Sequence, residues 1–555
     1  MNTLTRFLPR RSDYRELRGS WKADLLAGLT VGVVALPLAL AFGITSGMGA
    51  TPGLVTAIVA GLVAAVLGGS NVQVSGPTGA MAVVLLPVVT RYGVTAVYTV
   101  ALMAGGLVLV AALLRLGRYV AFVPWPVIEG FTVGIATLIF LQQVPSALGV
   151  PKPKGDNTAV VAARAVGHVI SHGNRGAMLL VLIVVAVMIV LPRLHRALPA
   201  SLIAVSVATA FAQIAHLKAA RIGAIPSSLP TPSLPHLSVS ATTNLLSAAI
   251  AVAALAALES LLSAKVADGM ADAPKHDPDR ELFGQGAANI ASALFGGMPA
   301  TGAIARTAVN IRAGARTRVA AIVHAVFLLG VVLLAGHLVA RIPLAALAGV
   351  LMVTAVRMVE PHNVRAVVRA TRSDAIVFAL TALATVAFDL IFAIELGMAA
   401  AAVLALRSVA RSASITPENP TVEIDADEAE ALRHSGIVTY RLDGALFFGA
   451  AQRFLTELTA VTDVRVIVLR LPDVQVLDAT GAQTLGEIVS ELEGRGITVL
   501  VKGPKPEHLR TLTAVGALDH LAHENHLFGQ LDAALAHARE HALRTTDTIT
   551  TSSTP

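Results

Sequence analysis

From Leu25 to Thr90 the chain carries no Asp, Glu, Lys, Arg or His. At about 20 residues per crossing, that run suffices for roughly three membrane spans, and no soluble core absorbs it easily. Composition agrees: 55% of residues are hydrophobic, 14% are charged and the mean hydropathy is +0.72, outside the usage of soluble domains. The apolar runs are rich in Ala, Val, Leu and Gly and do not alternate, so they read as helices rather than barrel strands. The first is too long for a cleavable signal and leads straight into further spans, so it is expected to stay in the membrane. Zero cysteines exclude disulfides and thiolate metal sites. A pI near 9.9 would suit nucleic acid, but the basic residues sit beside apolar runs, where orienting the chain in a bilayer explains them better.

Apolar runs and their breaks predict fourteen transmembrane helices, near 23–46, 52–68, 77–91, 94–115, 122–143, 176–191, 198–216, 247–268, 284–295, 301–313, 317–339, 343–357, 372–388 and 390–412. An even count puts both termini on one side, and Arg6, Arg10, Arg11, Arg15, Arg18 and Lys22 mark that side as cytoplasmic, in the cell membrane. Basic residues such as Arg115, Arg193, Lys265, Arg312, Arg357 and Arg407 follow even-numbered spans, as this orientation requires.

The third and tenth spans are short and interrupted, and they hold equivalent places in two halves of seven. Seven is odd, so the second half enters from the opposite side: a 7+7 inverted repeat. Their openings echo each other, Pro77-Thr78-Gly79-Ala80-Met81-Ala82 and Ala300-Thr301-Gly302-Ala303-Ile304-Ala305. Transporters with two related halves place substrate where such broken helices meet at mid-membrane, their positive N-termini aimed at an anion. Thr78 and Thr301 then offer hydroxyls beside free backbone amides at the two helix starts, among Gly79, Ala300, Gly302 and Ala303.

Taken together, Asp24 to Gly32 with Ala35-Leu36-Pro37, Ser75-Gly76-Pro77-Thr78-Gly79, Gly296-Gly297-Met298-Pro299 and Arg306-Thr307-Ala308-Val309-Asn310 resemble the SulP sulfate-permease family of anion transporters, whose members end in a cytoplasmic STAS domain. The resemblance runs from about residue 15 to 545. It implies interleaved core and gate domains, an anion held between the third and tenth helices, an elevator motion and a homodimer. Leu36 to Gly43 is similar to the bicarbonate-transporting branch, whereas many sulfate-transporting relatives carry Gln at the position of Leu38. Sulfate, bicarbonate and small dicarboxylates therefore all stay open as substrates. Phe42 is expected to wall the site, plain packing being the competing reading.

A carboxylate at mid-membrane is costly and normally lines a cavity, pairs with a charge or carries a coupling ion. Glu259, within Ala253 to Ser263, is that residue, and Ser263 falls one turn further along the same helix face. In sodium-driven relatives the pair resembling these is Asp with Thr, so Na⁺ and H⁺ both stand as coupling ions; no other cofactor is expected. Structural pairing of Glu259 with Arg306 is the competing reading. Arg306, in the first turns of the tenth helix, would add to the dipole in attracting an anion, or else snorkel or neutralise Glu259. Glu129, Asp389, Glu395, His324 and His337 are read as interfacial, looped or structural.

After Arg411 charge density rises and strands alternate with helices, including one through Phe454, giving a small α/β domain in the order of a STAS domain. Asp478-Ala479-Thr480-Gly481 opens a helix after a strand and resembles the loop where anti-sigma-factor antagonists are phosphorylated; Thr480 would be the acceptor, while a simple N-cap needs no phosphate. The expected domains are thus a cytoplasmic arm (1–22), a transport domain (23–412), a STAS domain (417–545) and a disordered tail (546–555). Function follows: a secondary active anion transporter, not an enzyme, with partners limited to the bilayer, a small anion, a second copy and a cytoplasmic regulator at the STAS domain. An uncoupled exchanger or channel, and a non-transporting membrane sensor signalling through that domain, are the alternatives.

Overall fold

Each of the fourteen apolar stretches forms a helix in the computed structural model, which describes residues 6–155, 157–169, 173–194, 198–235, 239–271, 274–388, 390–418, 432, 434–447, 456, 458 and 464–551. They are α1 Leu17–Thr45, α2 Ala50–Leu67, α3 Gly79–Tyr92, α4 Val94–Leu113, α5 Trp125–Leu148, α6 Arg175–Leu194, α7 Ala200–Ile214, α8 Val239–Met270, α9 Pro278–Leu294, α10 Ile304–Arg312, α11 Val319–Val339, α12 Leu344–Met358, α13 Arg372–Ala387 and α14 Leu390–Ser412. Among the described residues, nine helical spans are long and apolar enough to cross a bilayer, one of them, Leu344–Ala370, running through α12 and the short helix that follows it; α3, α7, α9, α10 and α13 are shorter, and fourteen crossings stay an expectation. Two further short helices, Thr158–Gly167 and Pro361–Ala370, are additions to the expected set. Asp389 and Phe454 lie outside the described residues.

The chain divides into two units, Met1–Ala399 and Ala400–Pro555. In the first, small residues let helices approach closely. A Cβ on Gly105 of α4 would lie 2.8 Å from the Gly286 carbonyl oxygen of α9, and one on Gly286 would lie 2.8 Å from that of Gly105. Between α2 and α3 runs a two-residue strand, β1 Ser75–Gly76, and before α10 another, β2 Thr301–Gly302. α2 itself carries a π turn at Thr56–Ala60, the kind of irregularity that gathers at functional sites.

Helix α9 starts well before the expected residue 284. Asp277 caps it, accepting from the amides of Asp279 (3.1 Å) and Arg280 (3.2 Å), with Pro278 in the first turn. Its charged opening is matched by the N-terminal arm: Asp13 takes two hydrogen bonds from Arg280, at 3.0 and 2.6 Å, and Arg6 donates to Asp279 at 3.2 Å. Phe7 stacks on Phe283 with ring centroids 4.7 Å apart. The arm is therefore docked on this unit through residues 6–13.

In the second unit β3 Ser414–Glu418 pairs antiparallel with β4 Ile437–Leu446, and β5 Val466–Arg470, β7 Thr498–Lys502 and β8 Leu527–Phe528 continue the sheet in parallel, while β6 Val474–Leu477 pairs with the end of β4. Side chains alternate across β5 as a strand buried on both faces requires. Ile467 and Leu469 join a core with α15 Ala479–Gly494 and α16 Pro506–Ala514; Val466 and Val468 join one with α17 Leu531–Thr551. α17 continues to Thr551, so the described part of the expected disordered tail is helical: its backbone hydrogen bonding extends the amphipathic turns that precede it.

Candidate functional site

The interrupted backbone before α3 and α10 meets as a miniature sheet. β1 and β2 run antiparallel, with Ser75 opposite Gly302 and Gly76 opposite Thr301, the relation that an inverted pair of half-helices needs. The Ala303 amide extends the pairing to the Val74 carbonyl at 2.9 Å. This extended backbone is tolerable in a membrane because protein surrounds it: the Asn289 side chain brackets Ala300, donating to its carbonyl (2.9 Å) and accepting from its amide (2.8 Å), and Thr56 accepts from the Met298 amide at 2.7 Å.

Thr78 is the N-cap of α3, its hydroxyl accepting from the Met81 amide at 3.4 Å. That arrangement leaves the amides of Gly79 and Ala80 without partners inside the helix. Phe42 stands close by: a Cβ added to Gly79 would meet the Phe42 ring at 3.2 Å and Ile139 closer still. The tenth helix opens at Ile304, not at Thr301, and its N-cap, Ala303, has no capping side chain. Thr301 lies in β2 instead, fully buried, its hydroxyl donating to the Ala256 carbonyl (3.2 Å) and touching the Ser260 hydroxyl at 2.8 Å. The reason for the shift is local: two extended residues pair with β1 before the chain can turn helical.

One helix gathers the parts. α8 sends Glu259 to α3, Ser260 to β2 and Ser263 to α10. Glu259 Oε2 accepts from the Thr78 hydroxyl at 3.1 Å and keeps part of its surface accessible. Ser260 accepts from the Gly302 amide at 2.9 Å. Ser263 contacts the Thr307 hydroxyl at 3.3 Å, and Thr307 accepts from the Val74 amide at 3.0 Å. Glu259 and Ser263 thus reach different half-helices, although they share a face of α8.

Arg306 is buried and donates to the Pro77 carbonyl at 2.6 Å; its second terminal nitrogen, Nη1, has no hydrogen-bond partner. It lies against Gly76, which has φ +153°, and a Cβ there would come within 2.6 Å of Nη1. Guanidinium, amides and hydroxyls therefore converge around the start of α3, a donor-rich set suited to an anion.

Sequence reasoning missed Ser260, Gln73, Gln285 and Asn289. Gln73 donates to the Ser260 carbonyl at 3.2 Å, and Gln285 to the Ser75 hydroxyl at 2.6 Å. A signal was present for the last two: polar amides four residues apart in an apolar helix share one face. Elsewhere Glu129 accepts from Trp125 (3.0 Å) and Asn363 (3.0 Å), away from this cluster. In the second unit Asp478 caps α15, accepting from the Gly481 amide at 2.7 Å, and Thr480 is exposed in its first turn.

The sulfate permease family model matches residues 21–381, and the STAS domain model matches 428–534. The chain belongs to the sulfate permease family. Among relatives, it is 34% identical to the putative sulfate transporter YvdB of Bacillus subtilis, over 92% of this chain and 97% of that one. It is 33% identical to the bicarbonate transporter BicA of Synechocystis, over 90% of each. The solved transmembrane domain of a cyanobacterial BicA superposes with a TM-score of 0.61 at 33% identity, covering 69% of this chain and 97% of that one. Murine Slc26a9 in an inward-facing state shares the fold, with a TM-score of 0.80 at 17% identity, over 93% and 91%. Membership in this family makes the chain a polytopic membrane transport protein for anions and not an enzyme, with a STAS domain after its helices.

Proposed function

We propose that this chain is a secondary active transporter that carries a small oxyanion, bicarbonate, sulfate or a small dicarboxylate, into the cell. Both termini are cytoplasmic in this reading, a second copy completes a homodimer, and the half-helices move as a core against a gate in an elevator. The observation that carries the reading is the hydrogen bond from Thr78 to Glu259. It sets a carboxylate beside the positive start of α3, where the anion is expected to bind.

An ionised Glu259 would occupy that positive field and repel an incoming anion, and at close range in a low-dielectric site the repulsion is large. Neutralising it with H⁺ or Na⁺ removes the repulsion and frees the Thr78 hydroxyl to turn toward substrate. Cation and anion then load together, which is the logic of a symporter. Arg306 Nη1 and the first amides of α3 supply the remaining donors.

Purified protein in liposomes, given labelled bicarbonate, sulfate or a dicarboxylate under an imposed H⁺ or Na⁺ gradient, tests this. One gradient should drive accumulation of one of these anions. Glu259→Gln, which still accepts from Thr78 but cannot ionise, should bind and exchange the anion while losing the response to the gradient. An unchanged response would remove Glu259 from the coupling.

A further inference from the structure

Three histidines of the second unit converge in a way that its fold does not require. His537 and His541 lie one turn apart on α17, so both rings share a helix face, and their Nε2 atoms are 3.2 Å apart. His526, in the turn leading into β8, is fully buried and stands edge-on to both, its ring centroid 5.4 Å from that of His537 and 5.1 Å from that of His541. One nitrogen from each of the three falls within 4.8 Å of the others. Neither ring nitrogen of His526 has a hydrogen-bond partner of good geometry, a cost that a buried polar group normally avoids.

The 3.2 Å contact of His537 and His541 is a hydrogen bond when one ring donates to the other, but protonating both rings would make them repel, and the contact leaves His526 without a partner among them. The carboxylate of Glu540 lies 4.0 Å from His537 Nδ1, the side of that ring turned away from His541. A carboxylate behind an imidazole is the common outer partner of a metal-binding histidine.

We propose that His526, His537 and His541 form a binding site for a borderline transition-metal cation, Zn²⁺ being the best match, with water as the fourth ligand. Zinc bonds to imidazole nitrogen of about 2.0–2.1 Å place neighbouring ligand nitrogens about 3.3 Å apart in a tetrahedron. His537 and His541 already stand at that separation, and His526 reaches it with a small ring movement. Three imidazoles and no thiolate also suit Zn²⁺ or Co²⁺ rather than the softest cations. Bound metal would pin the turn before β8 to α17, whose apolar side, Leu531, Ala534, Leu535 and Ala538, is already buried on the sheet.

The test uses the full-length protein in detergent, purified through a tag without histidine and stripped with chelator. Titration with Co²⁺ should give the ligand-field absorption of a tetrahedral site, saturating at one ion per chain and displaced by Zn²⁺. His537→Gln and His541→Gln, on partly exposed positions, should each abolish that spectrum, and His520→Gln should leave it intact. Glu540→Gln should weaken binding by about tenfold. Because His526 is buried, the two α17 variants carry the test, and an unchanged thermal unfolding curve without metal confirms that they fold. Absence of a tetrahedral spectrum, or its survival in the His537→Gln, His541→Gln double variant, would overturn the site.

Discussion

The hydroxyl of Thr78 donates to Glu259 at 3.1 Å while accepting from the Met81 amide at 3.4 Å, so one side chain both caps α3 and holds the carboxylate of α8. Loss of this hydroxyl acts on two helices at once.

Thr78→Val removes the cap, worth about 1 kcal/mol, and also strips Glu259 of its donor. Uptake into liposomes should fall on the order of tenfold or more, tenfold being about 1.4 kcal/mol, whereas Thr78→Ser, which keeps the hydroxyl, should stay near the parent rate. Near-parent uptake by Thr78→Val together with a loss in Thr78→Ser would mean that the methyl group, not the hydroxyl, is what matters.

Ser260→Ala deprives the buried Gly302 amide of its acceptor and the Thr301 hydroxyl of its neighbour. An unsatisfied buried donor costs about 1–3 kcal/mol, so the variant should unfold at lower temperature in a thermal-shift assay. Thr301→Val should show a comparable loss, since its hydroxyl serves the same junction. If Ser260→Ala is as stable as the parent, the miniature sheet is held by its backbone alone.

At Gly76 the backbone has φ +153°, and a methyl group added there would point at Arg306, 2.6 Å from Nη1. Gly76→Ala therefore combines strain of about 1–3 kcal/mol with displacement of a guanidinium. The expected result is protein that inserts and purifies but transports poorly, with weakened anion affinity in equilibrium binding. Unaltered affinity would show that Arg306 takes no part in holding the anion.

The paired half-helices are legible in the sequence because their openings repeat, each after a Gly/Pro break. What joins them is not. Ser260 sits beside Glu259 in Leu258-Glu259-Ser260-Leu261-Leu262-Ser263, and nothing in that string says which serine faces β2 and which faces α10. Helix α10 starts three residues later than its apolar run suggests because a two-residue strand pair has no periodicity of its own; only the partner strand, more than two hundred residues away in sequence, holds it extended. The charged start of α9 reads as a loop for a related reason. Asp279, Arg280 and Glu281 look solvated until the arm and the α2–α3 connection supply their partners, Glu281 accepting from the amides of Gly69 (2.8 Å) and Ser70 (3.2 Å).

That docking gives stability a pH dependence outside the membrane-spanning segments. Burial tends to raise the pKa of Asp13, but the hydrogen bonds from Arg280 and the Arg10 amide and the charges of Arg318 and Arg280 outweigh it, and the carboxyl ends below its ordinary value. A depressed folded-state pKa contributes stability that is present above the unfolded value, about 3.9, and is lost as pH falls through the folded one. The arm should therefore stay docked at neutral pH and loosen only in acid below about pH 4. Asp13→Asn should remove that acid step and destabilise the protein at pH 7 by about 3–5 kcal/mol, because Arg280 would be left buried without its ion-pair partner. Limited proteolysis of the first twenty residues across pH reads the docking directly: protection of Asp13→Asn equal to that of the parent at pH 7 would show that Phe7 and Arg6, rather than the Asp13 carboxylate, hold the arm.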